Sequence, residues 1–217
     1  MNINHATVEE VTGDKLQAIF TRQKSLMDKY HDIELKSGLL QTEDCPVNLD
    51  DKRGQARIKD FSWRVTEELG EALDAKATKD HYQEELIDGL HFLTELTILA
   101  GKDYHNILPE GTALYHNDRL EDLVENAKEC ISRNGDNLSY WVSKFIENLG
   151  MMCNCLKNKP WKQSMMKTDQ NAFYGRLAEV WVLYITLLVV SGMDADSIAI
   201  TYLKKSQVNQ FRQRSNY

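Results

Sequence analysis

Two short clusters of carboxylates carry the chemistry of this chain: Glu67-Glu68-Leu69-Gly70-Glu71 and, after a short run, Glu85-Leu86-Ile87-Asp88. On a helix, residues three or four apart share a face. Glu68 and Glu71 therefore point one way together, and so do Glu85 and Asp88. Four carboxylates gathered in a helical core repel one another and lose hydration, a costly arrangement unless something compensates. A hard divalent cation compensates, and Mg²⁺ prefers oxygen ligands while keeping positions open for water and phosphate oxygens. The chemistry implied is a Mg²⁺ site for a nucleotide di- or triphosphate. The competing reading is a solvated acidic face, the common fate of Glu and Asp at helical spacing. Glu67 faces partly away from the Glu68/Glu71 line and is expected to orient water from behind it.

The elements that must position these residues are helices. Trp63, Val65, Leu69, Ala72 and Leu73 form an apolar stripe through the first cluster. Leu86, Leu90, Phe92, Leu93 and Leu96 do so through the second. Lys79-Asp80-His81 reads as a short turn with Asp80 as N-cap. Helices joined so tightly pack antiparallel and bring their acidic pairs face to face.

Elsewhere the periodicity is also helical. A first helix is expected over about residues 12–33, with Leu16, Ile19, Phe20, Gln23, Leu26, Met27 and Tyr30 on one face. Gln23 stands inside that apolar stripe, so its amide needs partners, either a neighbouring helix or the edge of a base. Residues 34–54 read as a connecting loop, and 80–100 as the helix carrying Glu85, Asp88, His91 and Phe92, ended by Gly101. His91 has no second His one turn on, so zinc is not expected. A loop over 102–111, helices over 117–133 and 137–156, and a break at Lys157-Asn158-Lys159-Pro160-Trp161-Lys162-Gln163 follow. That break is either a solvated connector or a phosphate-facing lid, with Trp161 as stopper and Lys162 as cation. Residues 169–191 form the most apolar helix, and Asp194 caps a last one over 195–212. There Lys205, Asn209 and Arg212 fall on one face, a point charge, an amide and a planar guanidinium suited to phosphate oxygens.

The whole 217 residues read as one all-α unit: 42% hydrophobic residues, three prolines, and few segments alternating with period two. The formal net charge of −7 and the brevity of the basic runs argue against nucleic acid as partner. Cys153-Asn154-Cys155 has the wrong spacing for zinc, and free thiols are expected for all four cysteines. Met1 to Asp14 has no apolar core of a signal peptide, and the apolar runs 98–101 and 183–190 are too short to span a bilayer.

Glu-Glu-x-x-Glu followed by Glu-x-x-Asp on the next helix resembles the all-α nucleoside triphosphate pyrophosphatases, the superfamily of MazG and the dimeric dUTPases. Glu85-Leu86-Ile87-Asp88-Gly89-Leu90-His91-Phe92 is similar to the Glu-hydrophobic-x-Asp-x-x-His-Phe stretch of the dimeric dUTPases and related phage dCTP/dUTP pyrophosphatases. Tyr202-Leu203-Lys204-Lys205-Ser206-Gln207-Val208-Asn209-Gln210-Phe211-Arg212-Gln213 resembles their closing Tyr-x-x-Lys-Asn-x-x-Asn-x-x-Arg-Gln. Ser206 departs from that pattern, as does the ending Asn216-Tyr217 in place of Gly-Tyr. The run from Lys157 is similar to a segment of the phage members.

The resemblance implies a Mg²⁺-dependent dUTP pyrophosphatase in the cytoplasm of a bacterium or phage-infected host, acting as a homodimer with neither nucleic acid nor membrane as partner. Glu68, Glu71, Glu85 and Asp88 would hold the metal, Gln23 and Phe92 the base, and Lys205, Asn209 and Arg212 the phosphates. It also implies core helices over about 12–101 and 169–213 with a smaller mobile lobe over 102–168. In this arrangement 177–194 would be a degenerate echo of 86–103, with Arg176 and Glu179 at the places of Glu85 and Asp88. The alternatives are a dCTP or dual dCTP/dUTP pyrophosphatase, a broader MazG-like enzyme, and a catalytically idle helical interaction module.

Overall fold

An aspartate or asparagine opens almost every helix. In the computed structural model, which describes residues 3, 6–8, 11–108, 116–159 and 161–214, the elements are α1 (Lys15–Ser37), α2 (Lys52–Asp74), α3 (Lys79–Leu99), α4 (Arg119–Asn134), α5 (Leu138–Cys155), α6 (Gln170–Val190) and α7 (Ala195–Arg214). Asp14, Asp51, Asp118, Asn137 and Asp169 accept from the first free backbone N–H groups of α1, α2, α4, α5 and α6. Asp194 accepts from Ser197 N–H, and Ser197 Oγ accepts in return from Asp194 N–H. Each cap satisfies donors that the helix itself leaves unpaired, typically worth about 1 kcal/mol. Among the described residues there is no strand, and the fold is all-α.

The exception is α3, the helix of the acidic cluster. The chain leaves α2 through one 3₁₀ turn, Ala75–Ala77, and Thr78 takes the N-cap position without a side-chain bond. The expected turn at Lys79 to His81 is thus already helix, and Asp80 lies inside the first turn rather than at the cap. The 3₁₀ turn reverses the chain before those residues are reached.

α3 is the hub. It packs against α1, α2, α6 and α7, and from Leu93 to Ala100 every residue is buried. The expected one-sided stripe is therefore replaced by burial all round. α6 seals one side: Tyr184 Oη donates to Leu86 O (2.7 Å), Trp181 Nε1 to Thr97 Oγ1 (2.8 Å) and Tyr174 Oη to Ala100 O (2.9 Å). α6 is by length and composition apolar enough to cross a membrane, beyond what the run 183–190 implied. Its place between α3, α4 and α5 shows where that apolar surface goes. On α6, Arg176 and Glu179 pair with each other at 2.7 Å.

Two sequence expectations shift here. α1 runs on to Ser37 and ends at Gly38, whose φ of 71° suits the left-handed cap that glycine adopts without strain. Glu34, assigned to the loop, is therefore helical, and the true connection is the shorter 38–51. On α2 the buried face is Ile58, Phe61, Val65, Leu69 and Ala72, while Trp63 is 62% exposed and Leu73 37% exposed. Trp63 and Leu73 fall off that stripe because α3 and α5 both pack on α2's other side. All four cysteines are free. Pro109, Gly111, Pro160 and the closing Asn216-Tyr217 lie outside the described residues.

Candidate active site

Where α2 crosses α3 at Gly89, the two helices nearly touch: a Cβ placed on Gly89 would lie 3.3 Å from Glu68 Cβ and 2.0 Å from Tyr184 Oη. This close approach delivers the acidic pairs to one another. Carboxylate oxygens of Glu68, Glu85 and Asp88 lie within 4.8 Å of each other, all three residues half-buried. Glu71, one turn beyond Glu68, is exposed and outside that group, though its charge still acts on Glu68. Glu67 is exposed as well and accepts from Trp63 Nε1 at 2.8 Å, so it turns away from the cluster.

The cluster is electrostatically strained. Burial pushes the Glu68 carboxyl up to about 7, with Asp88, Glu71 and Glu85 adding to the rise. Burial likewise lifts Asp88 to about 6, against the pull of Lys205. Lys205 on α7 reaches across to Asp88 Oδ2 at 2.7 Å, with Glu84 Oε2 at 3.9 Å. His81 Nδ1 stands 3.3 Å from Glu85 Oε1. One ammonium against three converging carboxylates leaves excess negative charge, and an all-oxygen donor set of this kind fits a hard divalent cation.

Beside the cluster opens a cavity of about 320 Å³ whose lining includes Gln23, Arg64, Glu68, Asp88, His91, Phe92, Glu95 and Asn209. It thus joins residues from α1, α2, α3 and α7. Phe92 meets Phe61 edge-on, and the Arg64 guanidinium lies over both rings, 4.7 Å from the Phe61 centroid and 5.7 Å from the Phe92 centroid. This gives the cavity an aromatic wall braced by a cation. Gln23 is buried, as its setting demanded, and both ends of its amide are bonded: Nε2 donates to Glu95 Oε2 (2.9 Å), and Oε1 accepts from Tyr202 Oη (2.6 Å) and faces His91 Nδ1 (3.0 Å). The His91 ring stacks on Tyr202 at 3.7 Å. Burial holds His91 far down, at about 3, so the ring is neutral.

Most of the expected site residues thus converge. Glu68, Glu85 and Asp88 form the acidic corner, Gln23, Phe92 and Asn209 line the adjoining cavity, and Lys205 bridges α7 to Asp88. Arg212 lies exposed beyond the cavity lining, near the end of α7. Trp161 and Lys162 lie elsewhere. Trp161 is 77% exposed, and the Lys162 carbonyl accepts from Lys52 Nζ at 2.8 Å. Lys52 opens α2, about 24 Å along that helix from Glu68 at 1.5 Å per residue. The segment instead borders a second cavity of about 520 Å³, lined by Lys52, Arg53, Lys59, Asn158 and Lys159 among others.

Sequence reasoning missed Glu95, Arg64 and the part played by Tyr202. Glu95 had a signal: it is the one charged residue in the apolar run from Leu90 to Ala100, and a lone carboxylate there must be bonded or neutral. Tyr202 had none, because Gln23 is 179 residues away, and for Arg64 the contact that turns it to the cavity, Phe92, lies on another helix, while its bonds to Asp60 and its place over Phe61 are local.

Comparison with known proteins bears on the whole arrangement. A family model described as dUTPase matches residues 72–217, more than half of the chain. The matched span contains Glu85, Asp88, His91, Phe92, Lys205 and Asn209; Gln23, Glu68 and Glu71 lie before it. No curated protein and no solved structure matches the chain.

Proposed function

The chain belongs to the dUTPase family, and on that premise we propose that Glu68, Glu71, Glu85 and Asp88 form the Mg²⁺-dependent reaction centre of a dUTP diphosphatase. Activity of the dUTP diphosphatase type, converting dUTP and water to dUMP and pyrophosphate, follows from the family. Enzymes of this type generally use a divalent metal. The observation that carries the reading is the convergence of Glu68, Glu85 and Asp88 oxygens within 4.8 Å beside a cavity with an aromatic wall.

Glu68, Glu85 and Asp88 would hold the cation. Bound there, a divalent ion neutralises phosphate oxygens and lowers the pKa of a water. Glu71, the carboxylate outside the three-oxygen group, takes the proton of the attacking water. That water bonds to the α-phosphorus as the bond to the bridging oxygen of the β-phosphate breaks, and pyrophosphate leaves. Lys205, already at the edge of the cluster, faces the developing charge on the leaving group, with Asn209 and Arg212 along the same helix. Gln23 and Phe92 take the base. Trp161 and Lys162 remain a lid in this proposal, and reaching the cluster requires their segment to move or to belong to a neighbouring copy. The proposed assembly is a homodimer of the 25.0 kDa chain.

The test is pyrophosphate release from a panel of deoxynucleoside triphosphates with and without Mg²⁺. The expected outcome is turnover of dUTP that depends on the cation and is abolished in Glu85→Gln at unchanged helicity. Absence of turnover with every nucleotide would overturn the proposal, and an unfolded Glu85→Gln chain would make that residue structural.

A further inference from the structure

A glutamine side chain offers two N–H donors and one carbonyl with two lone pairs. In Gln23 both lone pairs are committed, one to Tyr202 Oη and one to His91 Nδ1. One N–H is committed to Glu95 Oε2. Among the described residues nothing takes the second N–H, and Gln23 lines the cavity beside the acidic cluster. The amide therefore shows a donor to whatever base enters. Position 4 of the pyrimidine distinguishes the two candidate bases, since uracil has a carbonyl acceptor there and cytosine an amino donor.

Glu95 decides which end of the amide faces it. Turned by half a rotation, Gln23 would set Oε1 against Glu95 Oε2 at 2.9 Å, two oxygens in contact. An ionised carboxylate forbids that orientation because it can only accept. A protonated one permits it, by donating to the Gln23 carbonyl. We propose that Glu95 is a specificity-determining positioning residue: by accepting from Gln23 Nε2 it keeps an amide N–H turned to the cavity and so favours uracil over cytosine. This rests on the cavity being the base site of the proposed reaction. Tyr202 adds to it from α7, its hydroxyl donating to the Gln23 carbonyl.

The setting of Glu95 makes the device sensitive to pH. Glu34 faces it from α1, Arg57 and Arg64 from α2, and Tyr202 from α7, while His91 on α3 shares the Gln23 amide. Cys45 reaches it from the connection between α1 and α2, and Glu68 and Asp88 line the same cavity. Glu34 is itself paired with Arg57 at 2.7 Å. Burial, then Glu34, push Glu95 up to about 7, opposed by Arg57, the bond from Gln23 and Arg64. Above that value the carboxylate locks the amide; below it the turned amide becomes available. His91 stays neutral throughout.

The experiment measures kcat and KM for dUTP and dCTP with Mg²⁺ between about pH 6 and 8. The ratio of the two kcat/KM values cancels titration of the reaction-centre carboxylates, which both substrates share. In the natural sequence the ratio is expected to favour dUTP and to rise with pH through that window. In Glu95→Gln, whose amide can meet Gln23 in either orientation, the preference is expected to fall about tenfold or more, mainly through KM, and its pH dependence to vanish. Tyr202→Phe is expected to shift the ratio in the same direction. Affinity for dUMP against dCMP by calorimetry makes the comparison without turnover, so a failed reaction assignment is told apart from a failed positioning role. An unchanged ratio in Glu95→Gln, or in Tyr202→Phe where the first variant does not fold, overturns the proposal.

Discussion

Burial moves Glu68 and Asp88 toward the neutral acid relative to their ordinary values, so the charge of the cluster depends on pH. Their ordinary values are 4.5 and 3.8, and the fold lifts them to about 7 and about 6. Across that interval the folded chain holds protons that the unfolded chain has released, so metal-free protein loses stability as pH rises through it. Below the ordinary values both states are protonated and the cost disappears. A divalent cation competes with those same protons. The Mg²⁺-induced rise in melting temperature is therefore expected to be small near pH 5.5 and large near pH 8, a contrast set by carboxylates whose ordinary range is about 4. Differential scanning calorimetry with and without Mg²⁺ at both pH values checks it. An equal shift at the two would mean that these carboxylates are not the ligands.

At the scale of the element, the decisive feature is the α2–α3 contact at Gly89. The helix spacing there leaves no room for a side chain, since an added Cβ would fall 2.0 Å from Tyr184 Oη. Tyr184 is fully buried and bonded to Leu86 O, so it cannot simply step aside. Gly89→Ala is expected to destabilise the fold by about 1–3 kcal/mol through overpacking. Turnover should fall too, because the residue next to Asp88 would be pushed away from Glu68. A thermal melt and a dUTP assay test the two effects together. An unaltered melting temperature and kcat would show that the crossing tolerates more space than its geometry allows. Local propensity already foretold the helices themselves: the Asp194 cap and the glycine stop at Gly101 act within a few residues, and their signals are local. The boundaries that moved, Ser37 in place of Ile33 and Lys79 in place of Asp80, are those where polar helix formers gave no periodic cue.

For the whole molecule, α3 packed by α1, α2, α6 and α7 explains why one cavity gathers side chains from residue 23 to residue 209. It also leaves Trp63 and Leu73 exposed on the outer side of α2. Large exposed apolar side chains of this kind are material for an interface. The homodimer proposed above would cover such surface, and sedimentation equilibrium is expected to return twice the 25.0 kDa chain mass. A monomer at micromolar concentration would remove the dimer from the proposal and, with it, a neighbouring copy as the source of the Trp161 segment.

The sequence by itself determined that this chain is helical, where most of its helices open, and that Glu68, Glu85 and Asp88 lie on faces able to meet. Those properties depend on the 3.6-residue period and on caps that bond within one turn, so they are written locally. Only the tertiary structure decided which carboxylates converge and which, like Glu71, stand just outside. It alone set Lys205 on Asp88 and closed Gln23, Glu95, His91 and Tyr202 into one hydrogen-bonded unit. These partners are 68 to 179 residues from Gln23 along the chain, and only the packing of α1, α3 and α7 brings donor to acceptor.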